Sequence, residues 1–235
     1  MKFNLAPTLV AWLAAVVPLI VPCLAQEKQA CEVAVAALTL PEDSGGLLHW
    51  RGADTATSPL QLSTRYFSDH IKVASNVIQF YKDPLAAKPT QQPLPVPLIS
   101  VTIPAGQKLV YIVLWSELDQ ARTVRWHSSL VSASDWAESS MKVFNACAEP
   151  IGILADKKQT KLLNGKSMDF SAGDWKEAFP VKIFRLQPET KLIFSSSWRV
   201  SPGRRELCFI GSNNGSISLR SLMDLAAPPP AGPPR

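Results

Sequence analysis

Few residues in this chain have the types and spacing that chemistry requires. Asp69-His70 is the one place where an acid and a histidine are chain neighbours. Nucleophilic catalysis needs such a base oriented by a third group, with a serine or cysteine in reach. No G-x-S-x-G turn is present to present that nucleophile, so His70 reads as a half-exposed loop residue. Two carboxylates could flank a glycosidic bond in Glu117 with Asp119, or Asp169 with Asp174. Acids at strand ends and turns ordinarily face water, and no spacing singles these out. No catalytic residue is assigned, and the chain reads as non-enzymatic.

Metal and cofactor chemistry is equally unsupported by the residue pattern. Gly45-Gly46 follows Pro41-Glu42-Asp43-Ser44, a turn rather than a phosphate-binding G-x-G-x-x-G. No C-x-x-C pair exists, and His49, His70 and His127 stand apart from the cysteines. Neither a metal nor a cofactor is expected.

Binding chemistry has a better candidate. Trp175 lies in the polar run Gly173-Asp174-Trp175-Lys176-Glu177. Trp198 precedes Arg199, and Arg204-Arg205 follow Pro202-Gly203. An exposed indole beside guanidinium groups could stack on a sugar ring or hold an anion. Trp175, Trp198, Arg199, Arg204 and Arg205 are therefore the candidate ligand site. The competing reading has the indoles capping the edge of a β-sandwich and the arginines on a solvated face.

The elements that must position these residues are announced by a repeat. Signals in residues 32–131 recur in the same order in residues 140–223, at an offset near 100. Phe67-Ser68-Asp69-His70-Ile71-Lys72 matches Phe170-Ser171-Ala172-Gly173-Asp174-Trp175-Lys176. Val77 to Pro84 matches Val181 to Pro188, and Leu109-Val110-Tyr111-Ile112 matches Leu207-Cys208-Phe209-Ile210. A period this long denotes two copies of a domain, not a solenoid. On this alignment Val33 should lie on Val143, Phe67 on Phe170, Phe80 on Phe184, Gly106 on Gly203 and Ile112 on Ile210.

The pattern within each copy is strand. Leu98–Ile103 and Leu109–Trp115 are β-branched and aromatic runs around Pro104-Ala105-Gly106, which reads as a hairpin. Asn164-Gly165 and Asn214-Gly215 are turn dipeptides, because type I′ turns need positive φ. Thr123 to His127 reads as the closing strand of the first copy. Strands at this spacing in two near-equal halves predict an all-β protein of two tandem, internally repeated β-sandwich domains, immunoglobulin-like in architecture. Ser132 to Ser139 is a short linker, so the two domains should sit close. Asp83 to Pro97, with five prolines, reads as an extended excursion. Residues 224–235 read as a proline-rich disordered tail.

The ends and the charge bound where such a protein works. Residues 1–25 read as a secretory signal peptide. Lys2 is basic, Leu9 to Leu19 is apolar, and Cys23-Leu24-Ala25 places small residues before Gln26. The expected location is periplasmic or extracellular, with no transmembrane segment after cleavage. Three cysteines then remain, Cys31, Cys147 and Cys208, an odd number for an oxidising compartment. Cys147 and Cys208 fall at core-type positions, where a disulfide competes with two buried thiols.

Residues 32–131 carry eight basic and eight acidic side chains, and residues 140–223 carry thirteen basic and seven acidic. The second copy is thus the basic one. Its charge favours an anionic glycan or an acidic envelope protein over nucleic acid, which an exported protein rarely meets.

The reading that follows is an exported, non-enzymatic binding or scaffold protein of the cell envelope. The alternative is a periplasmic chaperone-like assembly factor, since two-domain, basic, immunoglobulin-like chaperones of surface fibres are similar in size and export signal. A small hydrolase ranks last.

Overall fold

A computed structural model describes residues 30–40, 45–52, 56–86, 95–118, 123–213 and 216–225. The expected signal segment, residues 87–94 of the proline-rich excursion, Asp119 and residues 226–235 of the tail lie outside them. The first half holds β1 (Cys31–Ala37), β2 (Leu47–Arg51), β3 (Ser58–Gln61), β4 (Ile71–Val73), β5 (Val77–Tyr81), β6 (Ile99–Thr102), β7 (Leu109–Leu118) and β8 (Val124–Ser132). The second holds β9 (Ser140–Asn145), β10 (Ile151–Ala155), β11 (Lys158–Leu162), β12 (Ser167–Ser171), β13 (Phe179–Arg185), β14 (Lys191–Trp198), β15 (Arg205–Asn213) and β16 (Ser216–Asp224). A single 3₁₀ turn, Ala133–Asp135, joins them.

Each half is a two-sheet sandwich, as the strand periodicity predicts. The first has an inner sheet ordered β4-β1-β7-β8 and an outer sheet ordered β3-β2-β5-β6. The second has an inner sheet β12-β9-β15-β16 and an outer sheet β11-β10-β13-β14. Raising every strand number of the first half by eight reproduces the second. Both inner sheets contain one parallel pair, β1 with β7 and β9 with β15.

Register makes the equivalence residue-specific. Val33 lies opposite Val110 and Val143 opposite Cys208, which places Val33 on Val143 and Val110 on Cys208. Two expected matches are wrong. Phe80 faces the first core, whereas Phe184 lies opposite Gly152 on the solvent face, and its neighbour Ile183 takes the core position. A β-bulge between Ile183 and Phe184 sits at this point, and one residue of slip moves a side chain to the opposite face. Phe67 lies before β4 and packs between the two sandwiches, whereas Phe170 lies in β12 and packs inside the second.

The expected hairpin of Leu98–Ile103 with Leu109–Trp115 does not form. β6 pairs with β5 in the outer sheet, and β7 with β1 and β8 in the inner one. The turn at Gly106, which adopts φ +79°, carries the chain across the sandwich instead. The reason is burial: Val101 and Ile103 meet Val110 and Ile112 across one core, which two strands side by side in one sheet could not do.

Three hydrophobic clusters result, not two. One fills each sandwich. The third lies between the inner sheets and joins Ala34, Ala36, Tyr111, Val113 and Val131 of the first half to Leu207, Phe209 and Leu222 of the second. Trp136, from the linker, is fully buried there, with its ring centroid 4.8 Å from that of Tyr111. Residues 65–67 add a backbone link, with Phe67 N–H donating to Met223 O and Met223 N–H to Arg65 O. The short linker and this shared core hold the sandwiches back to back.

Candidate functional site

The structure does not assemble the ligand site expected from the sequence. Trp198 is 7% exposed and packs in the second core, its ring 6.1 Å from Phe170. Its parity explains this. β14 pairs with β13 through Phe179↔Trp198, and Phe179 points inward. Trp175 is half-buried against Phe179 at 4.0 Å. Arg205 is spent on the junction between the sandwiches, its Nε donating to Trp136 O at 3.0 Å. Arg199 and Arg204 remain exposed, with no fully exposed indole for them to flank as a ligand platform.

The thiols are likewise internal. Cys31, Cys147 and Cys208 are buried and unbonded, so the candidate Cys147–Cys208 disulfide is not formed. Burial pushes the Cys147 thiol up to about 11, and burial raises Cys31 and Cys208 as well. Thiols held protonated are poor nucleophiles. Asp169 of the proposed carboxylate pairs is bound to Lys142 at 2.8 Å.

Two polar constellations that sequence reasoning missed lie on the seam between the sandwiches. The first is at one end of the inner sheets. Asp224, 1% exposed, accepts a hydrogen bond from the Tyr111 hydroxyl. Arg205 Nη1 lies 3.4 Å from that hydroxyl and Nη2 3.8 Å from Glu138 Oε1. His70 lies between Glu32 and Asp224, at 3.5 and 3.6 Å. Burial, then the Asp224 hydrogen bond, pushes the Tyr111 phenol well above its usual range, so it stays a donor. A buried carboxylate must be paired, and here its donor comes from the other sandwich. This group is a structural clamp.

The second constellation is open. At the other end of the seam a cleft of about 500 Å³ lies between the sandwiches. The first sandwich supplies Thr39, Trp115, Glu117 and His127; the second supplies Phe209, Gly211, Ser218 and Arg220. His127 stacks on Trp115 with ring centroids 5.6 Å apart, and Phe209 packs against the indole at 5.3 Å. His127 Nε2 lies 3.8 Å from Glu117 Oε2. Thr39 Oγ1 accepts from Ser116 N–H at 2.7 Å and is 3.0 Å from its hydroxyl, which fixes the rim. Arg220 is exposed and has no ion-pair partner among the described residues. An aromatic floor with an acid, an imidazole and an unpaired guanidinium around it can hold a polar ligand that has one apolar face. Cleft volumes of roughly 300–1,000 Å³ are usual for small-ligand sites.

Among the described residues no group of three or more histidine, cysteine, aspartate or glutamate side chains could hold a metal, and no helix is long and apolar enough to cross a membrane.

No protein-family profile matches the chain, and no curated protein matches it. One solved structure is similar over 83% of this chain and 96% of its own, with 9% identity and a TM-score of 0.20. It is a Bacteroides uniformis protein whose own description assigns it provisionally to cell adhesion. At that score the likeness carries no argument.

Proposed function

We propose that this chain is an exported, non-enzymatic binding protein of the cell envelope, and that its ligand site is the cleft between the two sandwiches. The observation that carries the reading is the composite cleft, whose walls come from both copies of the repeat and whose Arg220 has no ionic partner among the described residues. The ligand it suits has an anionic group for Arg220 and an apolar or sugar-like face for Trp115 and Phe209. Acidic oligosaccharides and carboxylate-bearing peptides both meet that description. Export is supported by the apolar run Leu9 to Leu19 and the small residues before Gln26.

The test is a thermal-shift screen of the full chain against acidic oligosaccharides and carboxylate-terminated peptides, with calorimetry on each hit. Arg220→Glu should weaken a hit at least tenfold, and Ser218→Trp should block the cleft. The reading fails if hits bind both variants as well as the parent, or if the chain turns a hit over.

A further inference from the structure

The outer sheet of the second sandwich differs in kind from that of the first. Its strands β10, β11, β13 and β14 contain Lys158, Lys161, Lys182, Arg185 and Lys191, and no acidic residue. The corresponding strands of the first sandwich contain one basic residue, Arg51. Arg51 is held by Gln79 at 3.1 Å and lies over the Tyr81 ring. In the second sandwich Arg185 pairs with Glu149, but Lys161, Lys182 and Lys191 are exposed and have no ionic partner among the described residues.

Apolar side chains share this surface. Register places Lys161, Gly152, Phe184 and Leu192 in one outward-facing row, with Gln159, Leu154, Lys182 and Ser195 in the next. Gly152 has a reason to lack a side chain: a Cβ there would come within 2.9 Å of Leu186 Cδ2. Its absence lets Leu186 lie across the sheet beside Phe184. Leu192 is 49% exposed, and Leu163, at the same end of the sheet, is 51% exposed. The surface is thus an apolar patch among unpaired lysines.

We infer that this face rests on an anionic lipid bilayer, with Leu163 and Leu192 entering the headgroup region and Lys161 and Lys182 meeting lipid phosphates. A bilayer is favoured over a protein or glycan partner by what the face lacks. It has charge and apolar area, with only Gln159, Ser195 and Ser197 as neutral polar side chains at its outward strand positions. Charge and apolar contact are what an anionic membrane surface requires. The inference is independent of the cleft, which lies on the opposite side of the second sandwich's inner sheet.

The experiment is co-sedimentation of the processed full chain with phosphatidylcholine vesicles, with and without phosphatidylglycerol, across ionic strength. Binding is expected to the anionic vesicles alone and to weaken as salt rises, because exposed charges are screened over about 8 Å at physiological ionic strength. Each lysine near an anionic surface contributes about fivefold, so Lys161→Glu/Lys182→Glu should lower partition by roughly thirtyfold or more. Leu163→Ser/Leu192→Ser should remove the binding that survives high salt. Lys82→Glu/Lys108→Glu, on the first sandwich, should change little and controls for net charge. Circular dichroism verifies that each variant is folded. The inference is overturned if the parent ignores anionic vesicles, if both charge-reversal sets act alike, or if the patch binds a soluble sulfated polysaccharide and not vesicles.

Discussion

Removing one hydroxyl from the seam should measure how firmly the two sandwiches are joined. Tyr111 is fully buried, and its hydroxyl donates to Asp224, itself 1% exposed. Tyr111→Phe keeps the ring contacts with Phe67 and Trp136 and deletes the donor. A hydrogen bond to a charged group is worth about 1.5–3 kcal/mol, and a buried acceptor left short adds a cost. The expected loss is therefore about 2 kcal/mol. Asp224→Asn should cost a similar amount, since it removes the charge facing Tyr111 and His70. The double variant should cost less than the sum, with a coupling of about 1–2 kcal/mol, as residues in direct contact do not add. Urea denaturation followed by tryptophan fluorescence and circular dichroism gives all four stabilities. The two signals should report one transition, because the seam is a core in its own right. A coupling within about 0.3 kcal/mol of zero would refute the clamp, as would two separate transitions in the parent.

Trp136→Ala should cost about 3–5 kcal/mol, the usual loss for truncating a buried indole, and should open the linker to limited proteolysis. Cys147 gives an alkaline limit. Its thiol is raised when folded, so its contribution is complete below the unfolded thiol value near pH 8.5 and is lost as pH rises towards about 11, for roughly 3 kcal/mol. Urea midpoints should fall between pH 8 and pH 11, and Cys147→Ala should flatten that fall; an unchanged slope would contradict it.

The strands and the duplication were legible because a half-buried strand alternates with period two, and both copies repeat that alternation. The third core was legible too, in principle. Val33-Ala34-Val35-Ala36-Ala37 and Leu109 to Trp115 are apolar at nearly every position, which is how a strand buried on both faces reads. What hid it is that such runs also suit an ordinary core strand. The pairing of β6 and β7 was not legible, since a short turn can join neighbours in a sheet or carry the chain across a sandwich.

The candidate site failed for a local reason. Charged neighbours suggested that Trp198 was exposed, but alternation along β14 sets its direction, and Phe194 and Trp198 point the same way. The clamp draws on residues 32, 70, 111, 205 and 224, and the cleft on residues 39, 115, 127 and 220. No spacing in the chain announces groups that only the packing of two domains brings together.

The shared seam also sets an order in time. When the first half has been made, Ala34, Ala36, Tyr111, Val113 and Val131 present an apolar face that only Leu207, Phe209 and Leu222 will cover. Those residues lie in β15 and β16, the last strands of the second half. At about 5–20 residues per second of synthesis, that face waits on the order of ten seconds. The wait ends when β16 brings Met223 to Arg65 and Phe67, and Asp224 to Tyr111. Until then the first copy is a sandwich with an uncovered back, prone to stick to any other nascent chain. Shielding that face until β16 is made would suppress this side reaction, and the first copy expressed alone should aggregate where the full chain does not.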